Sequence, residues 1–498
     1  MSAAISSPVE HLDVVIVGAG LSGIGAAYRL RAEHPGRSYA LLESRAALGG
    51  TWDLFRYPGV RSDSDMFTLG YPFKPWRDAK SIADGPSILR YIEETAAENG
   101  IDNHIRFNTK VIAAEWNSAA SHWKLTLGTR TGDAVEQRTL TCGFLYSCAG
   151  YYNYDHGHEP EFPGIGDFAG TVVHPQFWPE DLDYAGKKVV VIGSGATAVT
   201  LVPAMAEQAA QVTMLQRSPT WISAVPGRDK IADRLRELLS PNLAHRVIRT
   251  KNILFNVGFY QYCRRRPESA RKMLTGLTTR ILEDESLVAE HFTPAYNPWD
   301  QRLCAVPDAD FFKAMRKSKA EVVTDHIESF VPEGIRLKSG RVLEAEIVVT
   351  ATGLQLLAFG GIGLTVDGAP VNLSEQFVWQ GTMMTGVPNF AVCIGYTNAS
   401  WTLRADLTSR LVCKVLGYMD RNAYSAVVPQ PGRALGERPL LDLASGYVQR
   451  SISQFPRQGD RHPWQVRQNY LLDSATTLRT DLRKTLRPVP MTKTLETV

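Results

Sequence analysis

The sequence predicts an α/β protein with two dinucleotide-binding, Rossmann-like domains and a helical insertion. Two glycine-rich turns predict the domains, because each follows a short apolar run and opens a helical pattern. A segment with helical periodicity and few strand-forming residues, between about residues 225 and 300, predicts the insertion. The length of 498 residues agrees with this division, since a domain ordinarily takes about 100–200 residues.

Composition excludes several other classes of protein. Lys and Arg number 54 against 51 Asp and Glu, so the formal net charge is only +3 and a polyelectrolyte built to bind nucleic acid is excluded. The six cysteines show no Cys-x-x-Cys pair and no zinc-ligand spacing, which predicts buried reduced thiols, no metal site and a cytoplasmic protein. No signal peptide and no transmembrane segment are predicted, which leaves only peripheral membrane association open.

The first repeat begins with the apolar run at residues 12–17, which is typical of a buried parallel strand. Residues 24–30 follow with apolar side chains at helical spacing, and residues 39–44 predict a second strand. This order of strand, glycine turn, helix and strand is the beginning of a βαβ unit.

The three glycines of the first turn have separate roles. Gly18 permits the tight turn, Gly20 lets the backbone approach a pyrophosphate, and Gly23 lets the helix pack closely on the strand. Exposed N–H groups and the helix dipole then hold the phosphates. Glu43 ends the second strand, where a carboxylate accepts hydrogen bonds from both ribose hydroxyls. The turn therefore predicts a site for FAD or NAD.

A second repeat starts with the strand predicted at residues 188–192. Its turn and the residue that follows are Gly193, Ser194, Gly195, Ala196, Thr197, Ala198 and Val199. The next strand ends in Arg217 and Ser218, with no carboxylate where Glu43 stands in the first repeat. An arginine there pairs with a 2′-phosphate, which predicts NADPH in the second domain and FAD in the first. A surface arginine without a ligand is the alternative.

A flavin and NADPH on one chain predict an oxidoreductase. Disulfide reductases carry a redox-active cysteine pair, and the sequence shows no suitable pair. Hydride transfer to the flavin followed by reaction with O₂ is the remaining chemistry. A non-catalytic protein that senses nucleotides is an alternative from a different class.

The arginine-rich surface of the insertion is interpreted as a solvated helix face rather than as a membrane or nucleic-acid patch.

The division of the chain follows from the two repeats and the insertion. The predicted units are an FAD domain at residues 1–155 and 340–480, an NADP domain at 165–225 and 300–340, the insertion at 226–299, and a loose tail at 481–498.

Two motifs resemble those of one enzyme family. Residues 168–179, FAGTVVHPQFWP, match the pattern F-x-G-x-x-x-H-x-x-x-W-P, and residues 49–63, GGTWDLFRYPGVRSD, match a second signature. Both resemble Baeyer–Villiger monooxygenases, and the resemblance runs from about residue 10 to residue 480. Flavin monooxygenases of the mammalian type are less similar, because their fingerprint lacks the Trp178-Pro179 pair.

The resemblance implies a mechanism. NADPH reduces FAD, O₂ adds to give a C4a-peroxyflavin, and attack on a ketone yields an ester or lactone. Oxidation of sulfur in sulfides or thioamides is a further expected activity, and N- or S-oxygenation without ketone insertion is the alternative. The partners are then O₂ and a small ketone or sulfur compound, with no nucleic acid; the oligomeric state is not predicted.

The resemblance also assigns site residues. Arg302 matches the arginine that stabilises the negative oxygen, Asp63 matches the acid that positions it, and Gln301 replaces a family lysine. The remaining assignments are cofactor contacts: Gly50, Thr51, Trp52, Asp53 and Leu54 along the flavin, Ser22 at the pyrophosphate, Val111 at the adenine, and Arg61, Ser62 and Asp63 where nicotinamide meets flavin.

Two aromatic residues have open roles. His174, in the fingerprint, is interpreted as a hinge residue that couples NADP binding to domain movement, not as a proton donor. Trp401 fits the substrate side and a core position equally well.

Overall fold

The computed structural model describes residues 9–131, 134–441 and 444–490. The first repeat folds as predicted, with strand His11–Val17, helix Leu21–Glu33 and strand Tyr39–Leu42. The two strands pair in parallel, and His11–Val17 also pairs in parallel with Ala134–Ser147. Their apolar residues are buried on both sides of the sheet, as a parallel strand requires.

This first sheet has eleven strands in the described part of the chain. Along its main path the strands are Ala369–Pro370, Gly363–Val366, Thr109–Asn117, His122–Thr131, Ala134–Ser147, His11–Val17, Tyr39–Leu42 and Ile105–Arg106. Three further strands join it through Ala134–Ser147: Val378–Trp379, Met383–Met384 and Phe390–Val392.

The second sheet is fully parallel and carries the second glycine turn. Its strand order is Ala320–Thr324, Gln211–Gln216, Lys188–Ile192, Ile347–Thr350 and Thr171–Val173. Helix Ala196–Met205 follows the turn. The prediction of an α/β fold with two Rossmann-like domains is confirmed.

One predicted boundary is wrong. Residues from 340 onward were expected in the first domain, but Ile347–Thr350 lies inside the second sheet. All four of its residues are buried, and it pairs in parallel with Lys188–Ile192 on one side and Thr171–Val173 on the other. A four-residue apolar strand is buried only where it has neighbours on both edges, and the second sheet supplies them.

A short ribbon joins the two domains. Tyr152–Gly157 leaves the first sheet and Leu354–Leu356 returns from the second, and these strands pair antiparallel. The chain therefore crosses twice between the domains at one place, with the two crossings hydrogen-bonded to each other.

The segment predicted as an insertion contains four helices. They are Lys230–Leu238, Pro241–Arg265, Pro267–Leu282 and Glu285–His291. The buried Arg249 fixes the long second helix, because its guanidinium donates to the backbone carbonyls of Phe67, Thr68 and Gly70. The insertion is therefore held against the first domain beside residues 63–70.

The tail is not loose where the structure describes it. Leu486–Pro490 pairs antiparallel with Tyr424–Pro429, and Leu482 and Leu486 are buried. Two leucines give this part of the chain enough apolar surface to pack, which the low apolar content of the whole tail obscures. Residues 491–498 lie outside the described residues.

Helix Trp401–Arg421 packs on Leu21–Glu33, and an ion pair between Arg29 and Asp406 joins them. The remaining elements are helices Thr51–Leu54, Met66–Leu69, Gly85–Glu98, Asp310–Arg316, Gly446–Gln449 and Tyr470–Thr476, and strands Ile222–Val225, Cys304–Pro307, Ile327–Val331, Gly334–Leu337, Val342–Glu344, Arg438–Pro439 and Arg457–Gln458.

Candidate active site

A cavity of about 2300 Å³ lies at the carboxyl ends of the strands of both sheets. It touches both glycine turns, the helical insertion and the loop that carries Arg302. In open parallel sheets this edge is where ligands bind. The volume exceeds the roughly 300–1,000 Å³ of a pocket for one small ligand, so the cavity has room for more than one.

The first glycine turn is built as the sequence predicts. Gly18 has φ +97°, and a Cβ there would lie 2.9 Å from the Cys148 carbonyl oxygen. A Cβ on Gly23 would lie 1.9 Å from the Gly18 carbonyl oxygen, so only glycine allows this helix to approach the strand. The first turn of helix Leu21–Glu33 has no acidic residue, which leaves its positive end free for an anion.

Glu43 is buried at the end of the second strand and lines the cavity. Its carboxylate accepts hydrogen bonds from the backbone N–H of Ala19 at 2.8 Å and of Arg45 at 3.0 Å. A carboxylate accepts about four hydrogen bonds in all, so it keeps capacity for ligand hydroxyls. The contact with Ala19 fixes the carboxylate directly beside the glycine turn.

The segment from Gly50 forms a helical turn over the first glycine turn. Gly50 has φ +59°, and a Cβ there would lie 3.1 Å from the Gly20 Cα, so the two backbones touch. Thr51 and Trp52 line the cavity, and the Thr51 hydroxyl lies 3.3 Å from that of Tyr154. The predicted flavin segment is therefore next to the predicted pyrophosphate turn.

Trp401, for which the sequence left a substrate-side and a core position open, lies between the two: it packs against the core and is partly buried. It lines the cavity, and its indole Nε1 donates to the Ser22 hydroxyl at 2.7 Å. Val111 also lines the cavity, in strand Thr109–Asn117. The register of that strand shifts between Val111 and Ala113, which marks a β-bulge beside the predicted adenine contact.

The second glycine turn repeats this geometry. Gly193 has φ +127°, and a Cβ there would lie 2.3 Å from the Ala351 carbonyl oxygen. Ser194, Gly195, Ala196 and Thr197 line the cavity. A Cβ on Gly195 would meet no atom within 4 Å, so the open side of this glycine leaves space for a ligand. The helix that follows has no acidic residue in its first turn.

Arg217 is exposed in the cavity at the end of strand Gln211–Gln216. Among the described residues it has no hydrogen-bond or ion-pair partner. A guanidinium without a protein partner is available for an anionic ligand group. The contrast with Glu43 at the equivalent strand end is therefore present in the structure.

Arg302 and Asp63 form an ion pair on the cavity wall. Arg302 donates from a terminal nitrogen to the Asp63 carboxylate at 3.1 Å. The Arg302 Nε is buried and has no hydrogen-bond partner within the described chain, whereas 31% of the side chain as a whole is exposed at the cavity wall, where a ligand can reach it. Gln301 also lines the cavity, which places an amide where the family has a second cation.

The environment of Arg302 keeps it charged. Burial lowers its pKa, but surrounding oxygen atoms raise that pKa by more, and the net pKa lies above its ordinary range. The groups that raise it are the phenol oxygens of Tyr447, Tyr151 and Tyr152, which attract the guanidinium by charge only when they ionise, and the carboxylate of Asp63. Burial in turn raises the pKa of Tyr447 to about 12, so this tyrosine stays a neutral hydrogen-bonding group.

Arg61 lines the cavity beside Asp63 and forms an ion pair with Asp310.

His174 does not line the cavity. Its ring packs against Gly157, where a Cβ would lie 2.2 Å from the His174 Cε1, so only glycine leaves room for the ring. Burial lowers the pKa of His174, so the ring is neutral near pH 7. The ring contacts the ribbon between the domains, which supports the interpretation as a hinge residue.

Seven predicted contacts do not reach the cavity wall: Gly23, Asp53, Leu54, Ser62, Ala198, Val199 and Ser218. Gly23 acts through helix packing. Ala198 and Val199 are buried in the core of the second domain, since the helix turns them toward its own sheet.

The polar members of this group have other partners. Asp53 is buried and pairs with Arg45 at 2.6 Å and Arg56 at 3.2 Å. The buried Ser62 hydroxyl accepts from the Ala83 N–H at 3.3 Å. Ser218 is exposed beyond the end of its strand.

Two family models match the chain. One, described as flavin-binding monooxygenase-like, matches residues 68–248, and the other, an NAD(P)-binding Rossmann-like domain, matches residues 16–79. The FAD-containing monooxygenase EthA of Mycolicibacterium smegmatis is 54% identical over 466 residues, which are 93% of this chain and 94% of that protein. EthA of Mycobacterium tuberculosis (strain H37Rv) is 52% identical over 97% of this chain and 99% of its own length.

The chain belongs to the FAD-containing monooxygenases.

Solved structures agree with the fold of this monooxygenase. An oxidised steroid monooxygenase bound to NADP has a TM-score of 0.75 at 21% identity and covers 97% of this chain and all of that one. A cyclohexanone monooxygenase from Rhodococcus bound to NADP⁺ has a TM-score of 0.69 at 20% identity, with 85% and 87% covered. The expectation of a flavin-dependent monooxygenase is confirmed by the EthA relatives, and Baeyer–Villiger activity stays a prediction.

The tyrosines around Arg302 line the cavity of this monooxygenase, and the sequence patterns did not predict them. Tyr151 and Tyr152 directly follow the loop after strand Ala134–Ser147, whose neighbour His11–Val17 carries the first glycine turn. Adjacent parallel strands end at the same edge of a sheet, so their position gave a usable signal. Tyr447 lies in a short helix near the C-terminus, and no sequence pattern there indicated a position in the site.

Proposed function

We propose that this monooxygenase uses NADPH and O₂ to convert ketones to esters or lactones and also oxidises sulfur in sulfides or thioamides. The observation that carries the proposal is the Arg302–Asp63 pair, a fixed cation on the wall of a cavity that both glycine turns share. Ketone insertion needs such a cation because negative charge develops on the reacting oxygen atoms.

The residues of the first domain fit FAD. Gly20 and the free helix N-terminus suit a pyrophosphate, the Glu43 carboxylate has capacity for ribose hydroxyls, and Thr51 and Trp52 offer a wall for the flavin ring. Glu43 would repel a 2′-phosphate, which FAD lacks. This donor set supports a flavin in the first domain.

The residues of the second domain fit NADPH. Gly195 leaves open space at the start of helix Ala196–Met205, and Arg217 is an unpaired cation at the place of the adenosine ribose. A 2′-phosphate would satisfy that guanidinium. NADH offers only hydroxyls there, so the proposal includes a preference for NADPH.

When bound, NADPH supplies a hydride and FAD supplies the oxygen-activating chemistry. The chain itself supplies charge and position. Arg302 offers a permanent cation that is 31% exposed at the cavity wall, and the loss of one such donor costs about 2.7–4 kcal/mol in related oxyanion sites. Asp63 accepts from a terminal nitrogen of Arg302 and so orients the guanidinium without using the Nε.

The neutral Gln301 favours sulfur oxidation as a second activity. A family lysine at this position would add a second cation and favour a deprotonated, nucleophilic oxygen donor. With an amide there, the cavity stabilises that anion less, and a protonated donor that attacks soft sulfur is easier to maintain. N- or S-oxygenation without ketone insertion is the competing function.

Replacing Arg302 separates the two functions. In Arg302→Ala we expect ester formation from ketones to fall by 10²-fold or more, while NADPH oxidation and FAD content persist. Arg302→Lys should restore part of the ketone activity because it restores the charge. Sulfide oxidation by Arg302→Ala at near the parental rate, together with lost ketone insertion, supports the proposal; retained ester formation contradicts it.

A further inference from the structure

The helix pair Pro241–Arg265 and Pro267–Leu282 concentrates positive charge. Residues 241–282 contain nine Lys and Arg and one carboxylate, Glu268, whereas the rest of the chain has 45 cations and 50 carboxylates. The small net charge of the protein therefore hides a strongly cationic segment. Fields of this kind attract anionic surfaces over distances of about a Debye length, roughly 8–10 Å at physiological salt.

Four of these nine cations are used within the protein: Lys251 and Arg264 pair with carboxylates, and Arg249 and Arg271 donate to backbone carbonyls. The other five, together with two cations of the adjacent helix Lys230–Leu238, are not. Seven exposed Lys and Arg side chains of the insertion have no acidic partner among the residues that the structure describes. They are Lys230, Arg234, Arg246, Arg265, Arg266, Lys272 and Arg280. They are therefore free to contact an anionic partner.

The same helices expose large apolar side chains. In the long helix, Leu243, Val247 and Leu254 are exposed and lie within about 40° of one another around the axis, with Arg246 and Arg265 on the same face. In the next helix, Met273, Leu277 and Arg280 are exposed on one face, and the exposed Lys272 lies about 100° from Met273 around the axis. We call these residues of the two helices the basic–apolar face.

The adjacent helix Lys230–Leu238 continues the pattern. Ile231 and Leu238 are exposed there, Leu238 to 70%, on the side of the helix that carries Lys230 and Arg234. A mixture of leucine, isoleucine, phenylalanine and unpaired cations is typical of helices that lie in a membrane interface. A solvated helix face would pair its cations with carboxylates and expose few large apolar residues.

The cavity opens through this part of the molecule. Ile231, Phe255, Met273 and Leu277 are exposed and also line the cavity, and Phe255 is 68% exposed. An apolar rim at a cavity mouth is an entrance for apolar molecules rather than for ions. The side chains at the mouth and the basic–apolar face lie on the same helices.

We propose that the basic–apolar face docks on an anionic lipid bilayer and sets the cavity mouth against the lipid. Among the described residues, none of the helices has the length and hydropathy of a transmembrane span. In our proposal the helices lie in the membrane interface. The cations contact lipid headgroups and the apolar side chains enter the acyl boundary. Apolar substrates then reach the cavity from the bilayer. The docking itself does not depend on the reaction proposed above.

Nucleic acid is the less favourable partner for this surface. A phosphate backbone would use the cations, but it offers nothing to Leu243, Val247 and Leu254, which would be left exposed. A bilayer uses both kinds of side chain. The apolar residues therefore decide between the two anionic partners.

Co-sedimentation of the FAD-loaded protein with vesicles tests the proposal. We expect binding to phosphatidylglycerol vesicles, weaker binding to phosphatidylcholine vesicles by at least tenfold, and a decrease with rising salt. The triple variant Arg246→Glu, Arg265→Glu, Lys272→Glu should lower partitioning by at least about 100-fold, since each cation near the surface contributes about fivefold. Leu243→Ser, Val247→Ser, Leu254→Ser should lower it by at least tenfold.

A matched control changes the same charge elsewhere. Lys124→Glu, Lys317→Glu, Lys338→Glu reverses three exposed cations outside the insertion and should leave partitioning unchanged. None of the substituted residues lines the cavity, so FAD content and turnover of a water-soluble substrate report that each variant is folded.

Three results would overturn the proposal. One is equal loss of binding in the control and in the first triple variant. Another is tighter binding to duplex DNA than to the anionic vesicles. The third is self-association that the serine variant abolishes, in a protein that binds no vesicle.

Discussion

Trp401 donates a hydrogen bond to the Ser22 hydroxyl at 2.7 Å. This bond joins the first residue of a helix in the C-terminal part of the chain to the turn that follows strand His11–Val17. The same indole ring lies 5.1 Å, between ring centroids, from Tyr151 in the group of tyrosines near Arg302. The proposed flavin site is thus completed by a residue almost 380 positions from its glycine turn.

Trp401→Phe should weaken FAD binding. The ring is kept, but the Ser22 hydroxyl loses a hydrogen bond worth about 0.5–1.5 kcal/mol, which corresponds to a 2- to 13-fold higher Kd for FAD. Titration of the deflavinated protein with FAD measures this Kd. Trp116→Phe removes a similar bond to Ser118 outside the cavity and should leave the Kd unchanged; equal effects of both substitutions would contradict the role of Trp401.

Arg217→Ala should change coenzyme preference. A charge-assisted hydrogen bond is worth about 1.5–3 kcal/mol, so we expect KM for NADPH to rise about 10- to 150-fold and KM for NADH to change by less than about twofold. Steady-state kinetics with both coenzymes measures the difference. Arg336→Ala removes another exposed arginine of the second half of the chain and serves as the control. Equal increases in KM for NADPH and for NADH would refute a phosphate contact.

Asp63→Asn should uncouple NADPH oxidation from substrate oxidation. The amide keeps the shape of the side chain but loses the ion pair at 3.1 Å that orients Arg302. A displacement of about 1 Å at such a site costs on the order of 10²-fold in rate. We expect ester formation to fall by 10- to 100-fold while NADPH is still consumed, with the missing oxygen recovered as hydrogen peroxide. Unchanged coupling would show that Arg302 needs no positioning by Asp63.

Asp473→Ala should destabilise the fold. Asp473 is buried, pairs with the buried Arg404 at 3.1 Å and accepts from the Tyr396 hydroxyl at 2.7 Å. Removing one partner of a buried pair leaves an uncompensated charge and costs about 3–5 kcal/mol. Urea unfolding of the FAD-free protein measures this. Arg138→Ala breaks the exposed pair with Glu136 and should cost less than about 1 kcal/mol.

Sequence patterns predicted those parts of the site whose residues are close together in the chain. Each glycine turn, with the strand before it and the helix after it, occupies about twenty consecutive residues, and the periodicity and the glycine spacing lie in that window. Glu43 and Arg217 lie at the predicted strand ends for the same reason, because each directly follows the strand after its turn, and their contacts to a cofactor stay predictions.

Long-range pairing was beyond this reasoning. Strand Ile347–Thr350 reads as an ordinary buried strand, and nothing in its own four residues says that its partner is Lys188–Ile192 rather than a strand of the first sheet. Tyr447 meets Arg302 for a similar reason only after the whole chain has folded. Packing of the tail depended on two leucines in a polar segment, too few to give a periodic signal.

The paired strands between the domains have a mechanical consequence. A two-stranded antiparallel ribbon bends easily across its face but resists shear between its strands, because shear would break the pairing of Leu354 with Gly157 and of Leu356 with Tyr152. Hydrogen exchange at residues 152–157 with and without NADP⁺ would register such bending. We therefore expect the domains to move most easily by bending of this ribbon. Since Tyr152 ends the ribbon near Arg302, we expect such bending to shift this tyrosine relative to the charge on which the proposed chemistry depends.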